Sequence, residues 1–146
     1  MAPLPALFLQ NRQRRIAVDL PALRRFAAHA LSAVATLPGQ PLQAFQEISI
    51  VLLSDAAMAR HHLQFMGIPG PTDVLTFHHG EILIGTETAA RYASELGQDK
   101  HDTQNEIALY LLHGLLHLAG YNDSTPAQKK RMFALQTQLF ESIQKH

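Results

Sequence analysis

The segment LLHGLLHLAGYND at residues 111–123 contains the residues on which the predicted central helix and the predicted site depend. His113 and His117 are four residues apart in an apolar run, so a helix places both imidazoles on one face, one turn apart. Gly120 offers a helix stop, because glycine readily takes the left-handed conformation that ends helices. The chain then delivers Asp123, whose carboxylate oxygen is an acceptable third zinc ligand. Three protein ligands with an open fourth position predict a catalytic zinc site, since structural zinc sites have four protein ligands.

The same residues have a simpler interpretation, in which the two histidines are partly buried and hydrogen-bonded. Two imidazoles in an apolar surrounding are costly unless a partner satisfies them, and a metal ion is such a partner. Asp123 could cap the helix that follows, but Thr125 and Pro126 already supply a cap, and Gln128 completes a capping box. Asp123 is therefore available as a ligand, and we favour the metal site.

Composition sets the bounds of the fold and of the function. The 146 residues suit one domain, which we expect to span residues 1–146. The net charge is zero, whereas a dedicated nucleic-acid binder is often strongly basic, so any contact with nucleic acid must come from local clusters of charge. The absence of cysteine excludes disulfides and thiolate metal sites, and nine histidines favour metal binding by imidazole.

We do not expect the amino terminus to act as an export signal. Residues 1–9 are apolar, but the arginines follow this run at positions 12, 14 and 15, which reverses the charge order of a secretory signal peptide. No run reaches the roughly 20 apolar residues of a membrane span. We therefore expect a cytoplasmic protein with no membrane partner.

Hydrophobic periodicity divides the chain into strands and helices. The predicted strand regions are residues 6–10 with 14–18, 47–53, 74–77 and 81–85. The predicted helices are residues 20–35, 55–64, 86–96, 103–119 and 126–143. The nearly continuous apolar run of the strand at 47–53 indicates an interior position. We expect Gly97 to end the third helix and His101 to be exposed.

Three further groups compete for a role at the site. His78 and His79 precede Glu81, but adjacent side chains in a strand point in opposite directions, so both binding one ion is disfavoured, although one could line a cleft. Glu106 is about 10 Å from His113 along the helix axis, which excludes direct coordination. It either supports the site from further out or pairs with a surface cation. We expect the pair at positions 61–62 to be surface or helix-end residues.

Two motifs carry a resemblance to a known family. HGLLHLAGY at residues 113–121, preceded by PTDVLTF at residues 71–77, resembles the YbeY family of bacterial metal-dependent endoribonucleases, and the resemblance runs from about residue 48 to residue 140. It implies a single-domain α+β fold, with a small mixed β-sheet packed against several helices and the metal site on the central helix. It also implies one zinc ion and a role in ribosomal RNA maturation and ribosome quality control. The implied partners are ribosomal RNA, the small ribosomal subunit and ribosome-associated proteins.

The chain departs from the family pattern at three positions. The family usually has Gly-Tyr-Asp-His where residues 120–123 are GYND, so the implied third ligand is Asp123 instead of histidine. Met66 replaces an arginine whose position in the family implies contact with RNA. Glu81 replaces an aspartate, which is a mild change.

Three functions are compatible with these residues. In the first, a metal held by His113, His117 and Asp123 activates water for RNA hydrolysis; Asp73 is a candidate general base, although fixing its own loop is its favoured role. In the second, a metalloprotease would use His-Glu-x-x-His, but Gly114 stands in place of that glutamate, which argues against peptide hydrolysis. In the third, the protein is a non-catalytic ribosome-assembly factor with a structural metal. Imidazole and carboxylate ligands also accept divalent ions other than zinc.

Overall fold

The computed structural model describes residues 3–39, 41–96 and 102–145. Within them one mixed sheet is formed by the strands β1 (Ala6–Asn11), β2 (Glu47–Leu53), β3 (Val74–Phe77) and β4 (Glu81–Gly85). Their order across the sheet is β1-β2-β4-β3. β2 is parallel to both of its neighbours, and β3 is antiparallel to β4. β2 therefore lies inside the sheet, as its apolar run predicts, and β3 forms an edge.

The helices of the described residues are α1 (Leu20–Ala35), α2 (Asp55–Met66), α3 (Thr86–Leu96), α4 (Thr103–Leu118) and α5 (Pro126–Gln144). Each begins and ends within two residues of its predicted position. Side chains of Asp19, Ser54 and Thr125 accept backbone hydrogen bonds as helix caps. The predicted α+β class, with a small mixed sheet packed against helices, is confirmed. The predictions for Gly97 and His101 lie outside the described residues.

The prediction of a strand at residues 14–18 is wrong, and the reason is the side chain of Gln13. Its amide nitrogen donates to Asn11 Oδ1 and to the Ile16 carbonyl, each at 2.9 Å. Its amide oxygen accepts from the Ile16 N–H, also at 2.9 Å. These bonds occupy the backbone groups of Ile16 that a sheet ladder would need, so the chain bends after β1.

α4 is the central helix, and its orientation is fixed by burial. It is covered along most of its length, and its fully buried side chains are Ile107, Leu111, Leu112, Leu115 and Leu116. They join the core formed by one face of the sheet with α1 and α5. Each buried leucine contributes about 1.5–3 kcal/mol relative to exposure, so rotating α4 would be costly. The remaining side of the helix, which carries His113 and His117, is half-buried and faces solvent.

The opposite face of the sheet has a smaller core under α2. Met58 of α2 packs with Val51, Leu53, Leu75 and Leu83 of the strands. No helix in the described part of the chain is both long enough and apolar enough to cross a bilayer.

Gly114 allows the closest approach between α4 and the sheet. A Cβ atom at this position would lie 2.7 Å from Ile82 Cγ2 and 3.0 Å from Ile82 Cδ1. Glycine inside a helix costs about 1 kcal/mol relative to alanine. Here it lets the helix backbone rest on β4, which sets the depth of α4 and hence the position of both histidines.

Candidate metal centre and adjacent cleft

The end of α4 turns the chain back toward its own last two turns. Gly120 has φ of +96°, its N–H donates to the His117 carbonyl at 3.0 Å, and the Tyr121 N–H donates to the Leu116 carbonyl at 3.0 Å. The Tyr121 hydroxyl donates to the Pro38 carbonyl at 2.6 Å. This turn places Asp123 beside the two histidines, as expected from the helix end that was predicted at Gly120.

Asp123 takes no part in capping α5. The Thr125 hydroxyl accepts from the Gln128 N–H, and Gln128 Oε1 accepts from the backbone N–H groups of Ser124 and Thr125. The capping box predicted from the sequence is confirmed. The carboxylate of Asp123 is therefore directed by the turn and not by the helix that follows.

The two imidazoles and the carboxylate converge on one point. His113 Nε2 and His117 Nε2 are 3.0 Å apart. Asp123 Oδ2 lies 3.4 Å from His113 Nε2 and 3.6 Å from His117 Nε2. Within the described residues, this is the one group of histidines and carboxylates whose geometry could hold a metal ion.

These distances fit a metal ion of the size of zinc. Tetrahedral ligand atoms about 2.0–2.2 Å from a metal lie roughly 3.3–3.6 Å from each other. The three measured edges of 3.0, 3.4 and 3.6 Å are close to that range. Two nitrogen lone pairs directed at each other repel unless a cation or a proton lies between them. Two imidazoles with one carboxylate are also donors that zinc accepts.

The hydrogen bond of His113 and the burial of His117 both favour metal binding by these histidines. Gln136 Oε1 accepts a hydrogen bond from His113 Nδ1 at 2.9 Å, which leaves His113 Nε2 with its lone pair facing the site. Burial lowers the pKa of His117, and the charge of His113 lowers it further, while the charge of Asp123 opposes the shift. His117 is therefore favoured in its neutral form, which is the form that binds metals.

A cleft of about 660 Å³ opens over the three side chains. The edge strand β3 forms one wall, together with the loop around Asn122. Met66 also lines this cleft. The position therefore faces the candidate site, but it offers an apolar side chain there instead of a cation.

The other histidines of the described residues lie outside the metal group. His78 lines the cleft, whereas His79 is exposed and lies 3.7 Å from Glu81, so only one of the adjacent pair faces the site, as predicted. His62 Nδ1 forms a hydrogen bond with the Gly70 carbonyl at 2.9 Å. His61 stacks on the ring of Phe65 in α2.

Asp73 fixes its own loop, as the favoured interpretation predicts. Its Oδ1 accepts from the Val74 N–H at 2.7 Å and from the Thr72 hydroxyl at 3.3 Å. The side chain is nevertheless exposed and lines the cleft. It therefore combines a structural role with a position facing the site.

Glu106 of α4 is buried, at 3% exposure. Burial raises the pKa of Tyr110, one turn further along α4, and the charge of Glu106 raises it further. Both residues line a second cavity that also reaches His113. The sequence analysis did not predict this cavity. The helical spacing of residues 106, 110 and 113, which places them on one face of α4, was the signal that could have indicated it.

The packing around Gly114 argues against the metalloprotease alternative. A glutamate replacing Gly114 would place its Cβ within 2.7–3.1 Å of three Ile82 side-chain atoms. The position faces the sheet and not the metal group. No side chain can serve there as a general base.

Comparisons with known proteins place this site in context. The family model described as Endoribonuclease YbeY matches residues 8–144. A protein named Endoribonuclease YbeY from Clavibacter sepedonicus is 34% identical over 140 residues, which is 86% of this chain and 88% of that protein. One of the same name from Mycolicibacterium gilvum is 40% identical over 114 residues, covering 65% of this chain and 62% of that protein. A solution structure from Thermotoga maritima has the same fold, with a TM-score of 0.60 at 21% identity, covering 94% of this chain and 88% of that one.

Proposed function

This chain belongs to the endoribonuclease YbeY family, and we propose that it is a zinc-dependent endoribonuclease that cuts single-stranded RNA during ribosomal RNA maturation and ribosome quality control. The ligands in this proposal are His113, His117 and Asp123. The observation that supports the proposal is that their ligand atoms lie within 4.8 Å of one another at the base of an open cleft. We further propose that residues 1–146 form one nuclease domain and that the protein works in the cytoplasm on the small ribosomal subunit, with ribosome-associated proteins.

The residues around the site prepare it before substrate arrives. Gln136 holds one tautomer of His113, and the turn at Gly120 holds Asp123 in place. When bound, a zinc ion supplies Lewis acidity toward phosphoryl oxygen and brings the pKa of a water molecule to about 7. The single carboxylate neutralises only part of a divalent charge, so the loaded site attracts a phosphodiester.

The dimensions and charges of the cleft favour a single strand. Its volume of about 660 Å³ is within the range of small-ligand sites, a size that suits a segment of one strand. Lys129 lines a small pocket that also contains His113 and Asp123. It begins the basic sequence KKR at residues 129–131, and such cations bind RNA phosphates. This local cluster supplies the attraction for RNA that the zero net charge does not.

The proposal is tested by metal content and RNA cleavage measured together. Protein purified without a chelator or an affinity tag should contain about one zinc ion per chain by elemental analysis. Asp123→Ala and His117→Ala should lose both the metal and the cleavage of single-stranded ribosomal RNA fragments. His79→Ala removes an exposed histidine outside the cleft and should retain both.

Two outcomes would contradict the proposal. Metal retained equally by Asp123→Ala would place the third ligand elsewhere, with His78 examined next. Ribosomal RNA maturation that survives Asp123→Ala unchanged would favour a non-catalytic assembly factor instead. The apolar Met66 in the cleft wall is the observation that favours this second function.

A further inference from the structure

A second cavity opens beside the candidate metal centre. Its volume is about 900 Å³, toward the upper end of the range of about 300–1,000 Å³ that is typical of ligand sites. It shares His113, Asp73 and Val74 with the cleft above the metal group. The two spaces are therefore adjacent, and a ligand that extends past these shared residues would occupy both.

Aromatic rings form the walls of this cavity. Phe133 and Tyr92 line it and are 70% and 48% exposed. Tyr110 and Phe140 are half-buried and complete the wall. Large rings left exposed around one concave surface indicate a binding site. Planar rings of this kind stack on unpaired bases of single-stranded nucleic acids.

The charged groups of the cavity are acidic. Asp73, Glu106 and Glu141 line it, and no lysine or arginine of the described residues does so. Carboxylates repel phosphate, so the RNA backbone is disfavoured in this space. They accept hydrogen bonds from amino groups of bases, as acidic side chains do from cytosine N4. A neutral planar group that carries amino donors complements both the walls and the charge.

Phe133 borders both the acidic cavity and the small pocket that contains Lys129. That pocket also contains His113 and Asp123. A nucleotide placed at this boundary has its phosphate toward Lys129 and the metal group. Its base then faces the aromatic wall.

We propose that the cavity binds the base of an unpaired nucleotide next to the scissile phosphate, and that it prefers a base with an exocyclic amino group over uracil. The proposal rests on the proposed function, because it assigns a subsite to the same RNA substrate. Phe133 and Tyr92 stack on the base, while the carboxylates accept from its amino group. The position of the cavity directly beside the metal cleft favours RNA over a docking protein as the occupant.

The test compares oligonucleotides that differ by one group. Fluorescently labelled five-nucleotide RNAs carry either cytidine or uridine at one position, so that they differ in the 4-amino group at nearly constant size. Binding is measured by anisotropy on the full chain carrying Asp123→Ala, which prevents cleavage. The wild-type ratio of kcat/KM for the two RNAs is measured in parallel, because this ratio does not depend on the fraction of folded enzyme.

Phe133→Ala should weaken binding of the cytidine RNA at least about fivefold, the effect of losing one base–aromatic stack. It should also bring the cytidine-to-uridine ratio toward one. Phe133→Tyr keeps a ring and should retain both properties. Phe8→Ala is the matched control, because Phe8 is 50% exposed on β1, at the opposite edge of the sheet from β3.

The outcomes separate this proposal from the proposed function. Cleavage by the wild type with equal kcat/KM for both RNAs, and binding within about twofold after Phe133→Ala, would overturn the base subsite and leave the nuclease intact. The cavity would then be open to a protein partner. Absence of cleavage, with binding that still discriminates cytidine and depends on Phe133, would overturn the nuclease and support the subsite.

Discussion

Replacing Gln136 with leucine should weaken zinc binding without unfolding the protein. Gln136 Oε1 lies 2.9 Å from His113 Nδ1 and keeps that nitrogen protonated, so that Nε2 faces His117 and Asp123. Leucine has nearly the same volume but accepts no hydrogen bond. The His113 imidazole would then be free to rotate and to change its tautomer.

The size of the effect follows from two contributions. Losing one hydrogen bond between neutral groups costs about 0.5–1.5 kcal/mol, or roughly two- to tenfold in affinity. Partners that orient metal-bound histidines typically contribute about 10–100-fold, because they also fix the tautomer. We therefore expect zinc affinity to fall roughly 30-fold. At a zinc concentration about 100 times the wild-type Kd, the stabilisation by zinc would fall from about 2.7 to about 0.9 kcal/mol.

Thermal unfolding with and without zinc measures this difference. At about 3 °C per kcal/mol for a chain of this length, the rise in Tm on adding zinc should fall from about 8 °C to about 3 °C. Gln138→Leu is the control, since Gln138 is exposed on the same helix and should keep the full rise. A Gln136→Leu protein whose Tm rises as much as that of the wild type would refute the assignment of Gln136 as the residue that orients His113.

Three further predictions address the ligand, the packing and the first turn. Asp123→His replaces one accepted zinc ligand with another and should retain about one zinc ion per chain by elemental analysis, whereas Asp123→Ala should lose it; equal metal content in the two variants would contradict the ligand assignment. Gly114→Ala should lower the free energy of unfolding by about 1–3 kcal/mol in urea titration, because its Cβ would meet Ile82 at 2.7 Å; an unchanged midpoint would show that α4 can shift. Gln13→Ala should cost about 1–3 kcal/mol, because it leaves the backbone groups of Ile16 without partners; a loss no greater than that of Gln138→Ala would contradict the role of Gln13.

Helix ends were predictable because their signals are local. Asp19, Ser54 and Thr125 each accept a backbone hydrogen bond from a residue three positions later. Such a bond depends on a few consecutive residues, so the sequence pattern contains all of its determinants. The wrong strand at residues 14–18 has the opposite origin. The side chain of Gln13 binds backbone groups that a strand would need, and strand propensity does not indicate such competition.

The convergence of the three candidate ligands was predictable for a similar reason. His113, His117 and Asp123 lie within eleven consecutive residues, and a helix followed by a glycine turn brings them together. The residue that orients His113 was not predictable. Gln136 is 23 positions away on another helix, and it reaches the histidine only because α5 packs along α4.

The sequence by itself determined the helices and strands, which of their faces are buried, and the three side chains that converge after α4. These properties depend on periodicity and on hydrogen bonds between near neighbours. Only the tertiary structure decided the strand order, the cleft beside β3 and the aromatic cavity that contains Phe133. An apolar stripe specifies that a face is buried but not which element covers it. Strand pairing and cavity walls join residues far apart in the chain, and their arrangement is set by how the whole core packs.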